Sequence, residues 1–250
     1  MPRKRVLITG ASGGIGLELA WLFAAKQYDL VLVARSAPKL DQIAAEMRTK
    51  FDVAAQVCTQ DLSLPGSAQD VFAHVGSCDV LVNNAGFGTY GKFAELDLEE
   101  ERRELQLNIV TLTELTKLFL PGMIARKWGR VLNVASTAAF QPGPLMAVYF
   151  ASKAYVLSFS EAIASEVQGT GVSVTCLAPG ATQTGVCRRW RRFGRERGLR
   201  RADARGGPRC AGFQKPGAHT FDPPHPTFPA DQNDPSGDRA PRVILHRRMN

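Results

Sequence analysis

The chain has 250 residues, 44% apolar and 22% charged, the balance of a globular protein long enough for one large domain or two small ones. No stretch approaches about 18 uninterrupted apolar residues, and the basic start Met1-Pro2-Arg3-Lys4-Arg5 is followed by only Val6-Leu7-Ile8, so neither a membrane span nor a signal peptide is expected. The net charge of +8 is local: residues 1–185 carry 16 Lys and Arg against 17 Asp and Glu, whereas residues 186–250 carry 15 against 6.

The first strand is Val6–Thr9, and a helical pattern over 15–27 follows it. Next come a strand at Leu30–Ala34, a helix over 37–50, a strand at Val53–Cys58, a helix over 66–75 and a strand at Val80–Asn83. A long helical pattern over 97–120 precedes a strand at Arg130–Ala135, a helix over 149–168 and a strand at Val172–Leu177. Alternating strand and helix implies a single α/β domain with a Rossmann-like, doubly wound parallel sheet over residues 1–185. The strands are nearly continuous apolar runs, as strands covered on both faces should be.

Five cysteines (Cys58, Cys78, Cys176, Cys187, Cys210) are odd in number and widely spaced, and the four histidines are scattered. Neither a disulfide framework nor a metal site is indicated, and a reducing, cytoplasmic setting is expected.

Between the first strand and the first helix lies Thr9-Gly10-Ala11-Ser12-Gly13-Gly14-Ile15-Gly16. Glycines there allow a tight turn and close backbone approach to a pyrophosphate, which the helix N-terminus attracts. The second strand ends Ala34-Arg35, without the acid that would accept from an adenosine ribose hydroxyl. A guanidinium suits a 2′-phosphate, so NADP(H) is favoured over NAD(H), with Ser12 as a second candidate contact; the bland alternative is a solvated arginine.

These residues resemble the short-chain dehydrogenase/reductase family. Gly10, Gly14 and Gly16 have its glycine spacing; Asp61-Leu62 follow the third strand where the family contacts adenine. Asn83-Asn84-Ala85-Gly86 matches its Asn-Asn-Ala-Gly signature, Asn108 falls at its catalytic asparagine and Ser136 at its serine. Tyr149-Phe150-Ala151-Ser152-Lys153 is its Tyr-x-x-x-Lys, and Pro179-Gly180 its Pro-Gly turn, with Thr184 a candidate nicotinamide contact. The resemblance covers residues 5 to about 185. It implies that Lys153 bonds the nicotinamide ribose and that Asn108 supports a water chain to Lys153. It also implies a homodimer through helices 97–120 and 149–168; the bland alternative is a monomer with a thick core.

The chemistry wants these residue types. A carbonyl that accepts a hydride must also take a proton, and a free phenol with a pKa of about 10 is too weak an acid at neutral pH. Lys153 lies four residues beyond Tyr149, on the same helix face. Its charge favours the tyrosinate, so Tyr149 can serve as acid/base while Ser136 shares the developing charge on the substrate oxygen. The substrate is a small carbonyl or alcohol compound. Pro142, Pro144, Leu145 and Met146, on the expected pocket wall, favour a hydrophobic ketone or acyl chain.

Residues 186–250 depart from this pattern. They hold eight of the 15 prolines and only nine Leu, Ile, Val and Phe, too few to bury a core. A largely irregular or disordered tail is expected, with no lid helix and no convincing edge strand, since Val243-Ile244-Leu245 is very short. The abrupt change suggests a reading-frame error or aberrant terminus. The rival reading is a nucleic-acid arm built on Arg188, Arg189, Arg191 and Arg192 around Trp190, and it is the lesser one. A nucleotide-binding but catalytically impaired protein is the alternative to an active enzyme.

Overall fold

The computed structural model describes residues 2–180 and 243–246. Strand β1 (Arg5–Thr9) leads into α1 (Gly14–Ala25), β2 (Asp29–Ala34), α2 (Ala37–Phe51), β3 (Ala55–Thr59), α3 (Ser67–Val75) and β4 (Val80–Asn83). Helix α4 (Leu98–Leu105), a π-helical turn (Gln106–Thr111) and α5 (Leu112–Ala125) form one continuous run. Strand β5 (Gly129–Val134), α6 (Ala147–Glu166), β6 (Val172–Pro179) and β7 (Val243–His246) complete the described elements.

All the described strands pair in parallel, in the order β3-β2-β1-β4-β5-β6-β7. The chain steps outward from β1 to β3, then crosses back to β4 on the other side of β1. That reversal opens a crevice beyond the carboxyl ends of β1 and β4, the place where such sheets hold ligands.

The two-residue period of the strands divides the core. Val6 and Ile8 of β1 pack with Ala20 and Ala24 of α1 and Leu40 and Met47 of α2. Leu7 points the other way, into Val71 of α3 and Leu115, Phe119 and Met123 of α5. All three β1 residues are fully buried, so the strand needs no polar face.

Several boundaries differ from the sequence pattern for local reasons. The strand expected from residue 53 starts at Ala55, because Asp52 ends α2 in the left-handed conformation (φ 54°) and Ala54 N–H donates to Asp29 Oδ1 (2.9 Å). The helix expected to stop at 120 runs through Pro121 to Ala125, where the proline removes one backbone donor. By length and composition the run Leu98–Ala125 also suits a membrane span, yet its Leu115, Phe119 and Met123 sit in the sheet-face core.

The tail requires one correction. Residues 243–246, expected to contribute no edge strand, form β7 and pair with β6 from Cys176↔Val243 to Pro179↔His246. An unpaired edge of β6 is a template that even a short β-branched run can join. Residues 181–242, and with them the expected irregular tail, its arginine cluster and Thr184, lie outside the described residues.

Candidate active site

At the end of β1 the backbone leaves no room for side chains. Gly10 and Gly14 have φ of +67° and +58°, the left-handed region that glycine enters most readily. A Cβ on Gly10 would stand 2.8 Å from Asn84 Nδ2, and one on Gly16 would stand 2.5 Å from Gly10 O. Thr9 ties this turn to the loop after β4. Its Oγ1 donates to Val82 O (3.2 Å) and accepts the N–H groups of Asn84 (2.9 Å) and Ala85 (3.0 Å). The Asn84 amide donates to Thr9 O (2.9 Å). Helix α1 has no side-chain cap and no acid in its first turn, so its N-terminal N–H groups and positive end remain available to an anion. Ser12 and Ile15 are half-buried beside it.

Two cations border this turn. Arg35 is exposed at the end of β2. Lys39 reaches back from α2, so that a Cβ on Gly13 would lie 3.6 Å from its Nζ. The sequence pattern pointed to Arg35 and missed Lys39; a basic residue in the first turn of the helix after β2 was the available signal.

The site residues after β3 are held from a distance. Asp61 Oδ1 accepts from the N–H (3.0 Å) and Oγ (2.7 Å) of Ser63, and Oδ2 pairs with Arg103 of α4 at 2.9 Å. Burial pushes the Asp61 carboxyl up, but the Ser63 hydrogen bonds and the charges of Arg35 and Arg103 outweigh it and hold the group below its ordinary value. Leu62 is buried, and its carbonyl accepts from Thr111 Oγ1 (2.9 Å), which joins this loop to the π-helical turn.

Asn108, in the middle of that turn, is 1% exposed. Its Nδ2 donates to Phe87 O (2.9 Å) and Ser152 Oγ (3.1 Å), and its Oδ1 accepts from Phe87 N–H (3.2 Å). The amide therefore clamps the loop after β4 against α6. On that loop, a Cβ on Gly86 would lie 3.1 Å from Asn108 Oδ1 and 3.4 Å from Lys153 Nζ. A Cβ on Gly88 would lie 2.8 Å from Tyr149 Cδ2.

Ser136 follows β5 and caps a short 3₁₀ turn by accepting Ala138 N–H at Oγ (3.1 Å). Tyr149 and Lys153 stand one turn apart on α6, both buried, with Lys153 Nζ 5.8 Å from the tyrosine ring centroid. Lys153 Nζ donates to Val134 O (2.8 Å), two residues before Ser136. That bond brings the three side chains to the same end of β5. Burial lowers the Lys153 pKa to about 8, against the opposing influence of Cys176 and Glu104.

Glu104 was not foreseen. It follows Glu99, Glu100 and Glu101, which read as charges suited to a helix start, yet it is 0% exposed. Its Oε2 accepts from Thr89 N–H (2.7 Å) and Oγ1 (2.9 Å). Burial raises its pKa to about 7. A folded value above the unfolded one means a contribution to stability that is full at low pH and lost as pH rises through about 7. Glu104→Gln removes that loss. Between about pH 5 and pH 8 the stability difference, read by urea unfolding, should move in the variant's favour by on the order of 3 kcal/mol. A difference that stays constant across that range would contradict the buried, titrating carboxyl.

The loop after β4 also meets the segment before α6: Gly91 N–H donates to Leu145 O (2.9 Å). There Ala138, Met146 and Tyr149 form a small apolar cluster with Tyr90 and Phe150, and Phe140 and Leu145 are exposed. Pro179 ends β6, and Gly180 follows it.

Known proteins share this sequence pattern and fold. The family pattern described as short chain dehydrogenase matches residues 4–193. A ketoacyl reductase, HetN, of Nostoc sp. is 38% identical over 192 residues, covering 73% of this chain and 65% of that protein. A very-long-chain 3-oxoacyl-CoA reductase of Pyrenophora tritici-repentis is 38% identical over 179 residues, covering 68% of this chain and 52% of that protein. The chain thus spans between half and two thirds of the length of these relatives. Among solved structures, a short-chain dehydrogenase from Sphingobium yanoikuyae in complex with NADPH has a TM-score of 0.72 at 35% identity, covering 74% of each chain. With its parallel sheet, glycine turn and family match over 190 of its residues, the chain belongs to the short-chain dehydrogenase family.

Proposed function

We propose that the protein is an NADP(H)-dependent oxidoreductase that reduces a carbonyl or oxidises a secondary alcohol, with Tyr149 as acid/base. The observation that carries this reading is the Lys153–Val134 bond, which gathers Ser136, Tyr149 and Lys153 beyond β5, close to the glycine turn.

The cradle fits a dinucleotide. The bare end of α1, with Gly10, Ser12, Gly14, Ile15 and Gly16, suits a pyrophosphate, and a side chain on Gly10 or Gly16 would displace backbone or Asn84. Asp61 and Leu62 would hold the adenine end, and Asn84, Ala85 and Gly86 the middle. Lys153 and Tyr149 would meet the nicotinamide ribose, with Pro179, Gly180 and Thr184 beyond it. When bound, the dinucleotide supplies or accepts the hydride.

The chain's own residues then handle the proton and the charge. Tyr149 Oη gives its proton to the carbonyl oxygen in reduction and takes one from the hydroxyl in oxidation. Lys153, charged beside it, favours the tyrosinate. Ser136 Oγ already accepts one hydrogen bond, so its own proton is free to donate to the substrate oxygen. Asn108 positions the loop and α6, and supports the proton path to Lys153.

Arg35 and Lys39 support the choice of NADP(H), as do neighbours solved with NADPH or NADP. Arg35→Ala should weaken NADPH binding by about 10- to 100-fold, the worth of a charge-assisted hydrogen bond, and leave NADH binding nearly unchanged. Equal losses for both cofactors in a binding titration would remove Arg35 from the 2′-phosphate.

The substrate reading is a hydrophobic ketone or a 3-oxoacyl chain, supported by Met146, Tyr90 and Phe150 packed with Tyr149, by exposed Phe140 and Leu145 on the segment before α6, and by the relatives named for ketoacyl and 3-oxoacyl-CoA reduction. Exposed Leu105, Val110 and Tyr155 on the α4–α5 run and α6 support a homodimer through those helices. Buried free thiols at Cys58, Cys78 and Cys176 support a reducing, cytoplasmic setting. A second reading, nucleotide binding without turnover, is favoured by one observation: the family match ends at residue 193 of 250. Turnover assays with NADPH and a ketone panel decide between the two.

A further inference from the structure

We propose that Glu104 is a positioning residue for Tyr149 and Lys153: ionised, it fastens the loop that lies on the tyrosine ring and on Lys153, and supplies a negative charge to that buried site. This rests on the reading of Tyr149 and Lys153 given above.

Three observations carry it. First, Glu104 and Asn108 stand one helical turn apart on the α4–π run and grip the same loop. Asn108 takes both backbone groups of Phe87, and Glu104 takes the N–H and hydroxyl of Thr89. Gly88, between the two grips, lies against Tyr149, where an added Cβ would come within 2.8 Å of the ring. The loop therefore has no slack at the tyrosine.

Second, Glu104 Oε1 is buried with no hydrogen-bond partner among the described residues. Burying a carboxylate with one oxygen unsatisfied is costly unless an opposite charge lies near. Third, Lys153 is also buried, its Nζ lies against Gly86 of the same loop (3.4 Å from an added Cβ), and its hydrogen bond to Val134 O brings it a dipole but no charge; the two groups act on each other across the loop, not through a contact ion pair. Each favours the charged form of the other. Arg103, next in sequence, turns instead to Asp61.

The charged and titratable groups that act on this pair are Glu101 on α4 and Cys176 on β6, while Arg102 and Arg103 of α4 turn to Glu99 and Asp61. Glu101 is raised by burial and opposes ionisation of Glu104. Burial also raises the Cys176 thiol. Among the described residues, Lys153 is the cation that acts on Glu104.

The test is Glu104→Gln, which keeps the shape and an acceptor for Thr89 but removes the charge. A negative charge makes every nearby proton harder to lose, whether it sits on Tyr149 or Lys153, so the coupled pair shifts together. In Glu104→Gln the high-pH fall of reductase kcat/KM should move toward lower pH by about one unit, and so should the rise of the oxidative reaction. The Kd for NADPH at neutral pH serves as the control for an intact cradle. A merely structural glutamate would lower kcat at all pH values without moving either limb, and that result would overturn the proposal. Glu104→Met, which also drops the grip on Thr89, should add a loss of kcat to the same pH shift.

A readout without turnover separates this inference from the enzyme reading. Unfolding midpoints of Glu104→Gln, Lys153→Met and the double variant at neutral pH form a cycle. Removing either partner strands the other charge, so the double variant should be more stable than the sum of the single losses. Additive losses would overturn the proposal even if the wild type reduces ketones. If the wild type reduces none, the cycle still decides whether Glu104 and Lys153 are a pair.

Discussion

Tyr149→Phe is expected to lose turnover by about 10²- to 10⁴-fold, the usual worth of a positioned acid/base. NADPH binding should persist, because the cradle at the glycine turn is built from β1, α1 and the loop after β4 rather than from the phenol. The ring itself stays: it packs with Ala138, Met146, Tyr90 and Phe150 and fills the face of the loop at Gly88. Loss of the hydroxyl should cost at most about 1.5 kcal/mol of stability. Steady-state rates, a binding titration and an unfolding curve on the same preparation separate these effects. Wild-type turnover in Tyr149→Phe would move the acid/base elsewhere; lost cofactor binding with it would make the tyrosine structural.

Gly16→Ala should be nearly as severe, by a different route. The new methyl group would stand 2.5 Å from Gly10 O, and backbone rather than a flexible side chain must give way. The turn and the end of α1 must then separate, at a cost of about 1–3 kcal/mol typical of overpacking. The N–H groups at the start of α1 move with them, so dinucleotide affinity should fall more than about tenfold. Gly13→Ala is the control. Its φ of 172° is ordinary extended backbone, and its added Cβ meets only the end of Lys39 at 3.6 Å. Equal effects of the two substitutions would mean that the close approach at Gly16 is not what the cradle depends on.

The parts of the site that could be read from the sequence are those whose chemistry is written in short spacings. Gly10, Gly14 and Gly16 mark a turn because left-handed backbone at Gly10 and Gly14 favours glycine and the close approaches at Gly10 and Gly16 leave no room for a Cβ. Tyr149 and Lys153 share a helix face because four residues make about one turn. The strands could be read because burial on both faces demands unbroken apolar runs. The parts that could not be read depend on contacts distant in sequence. Glu104 looks like one more acid at a helix start until Thr89, fifteen residues earlier, folds over it. The partner of Asn108 on α6 is Ser152, 44 residues away. The π-helical turn at Gln106–Thr111 carries no local spacing signal, because its residues are ordinary for a buried helix. Strand β7 showed in the sequence only as the short run Val243-Ile244-Leu245, unconvincing alone, since a run of that length becomes a strand only by meeting the edge of β6.

The most direct measurement is NADPH consumption by the full chain with a panel of 3-oxoacyl thioesters and hydrophobic ketones, run beside NADH and beside Tyr149→Phe. Wild type should consume NADPH with at least one of these substrates, much faster than NADH, while Tyr149→Phe binds NADPH and does not turn over. A folded chain that binds NADPH yet reduces none of them, or a Tyr149→Phe variant as fast as wild type, would contradict the assignment of a Tyr149-dependent reductase.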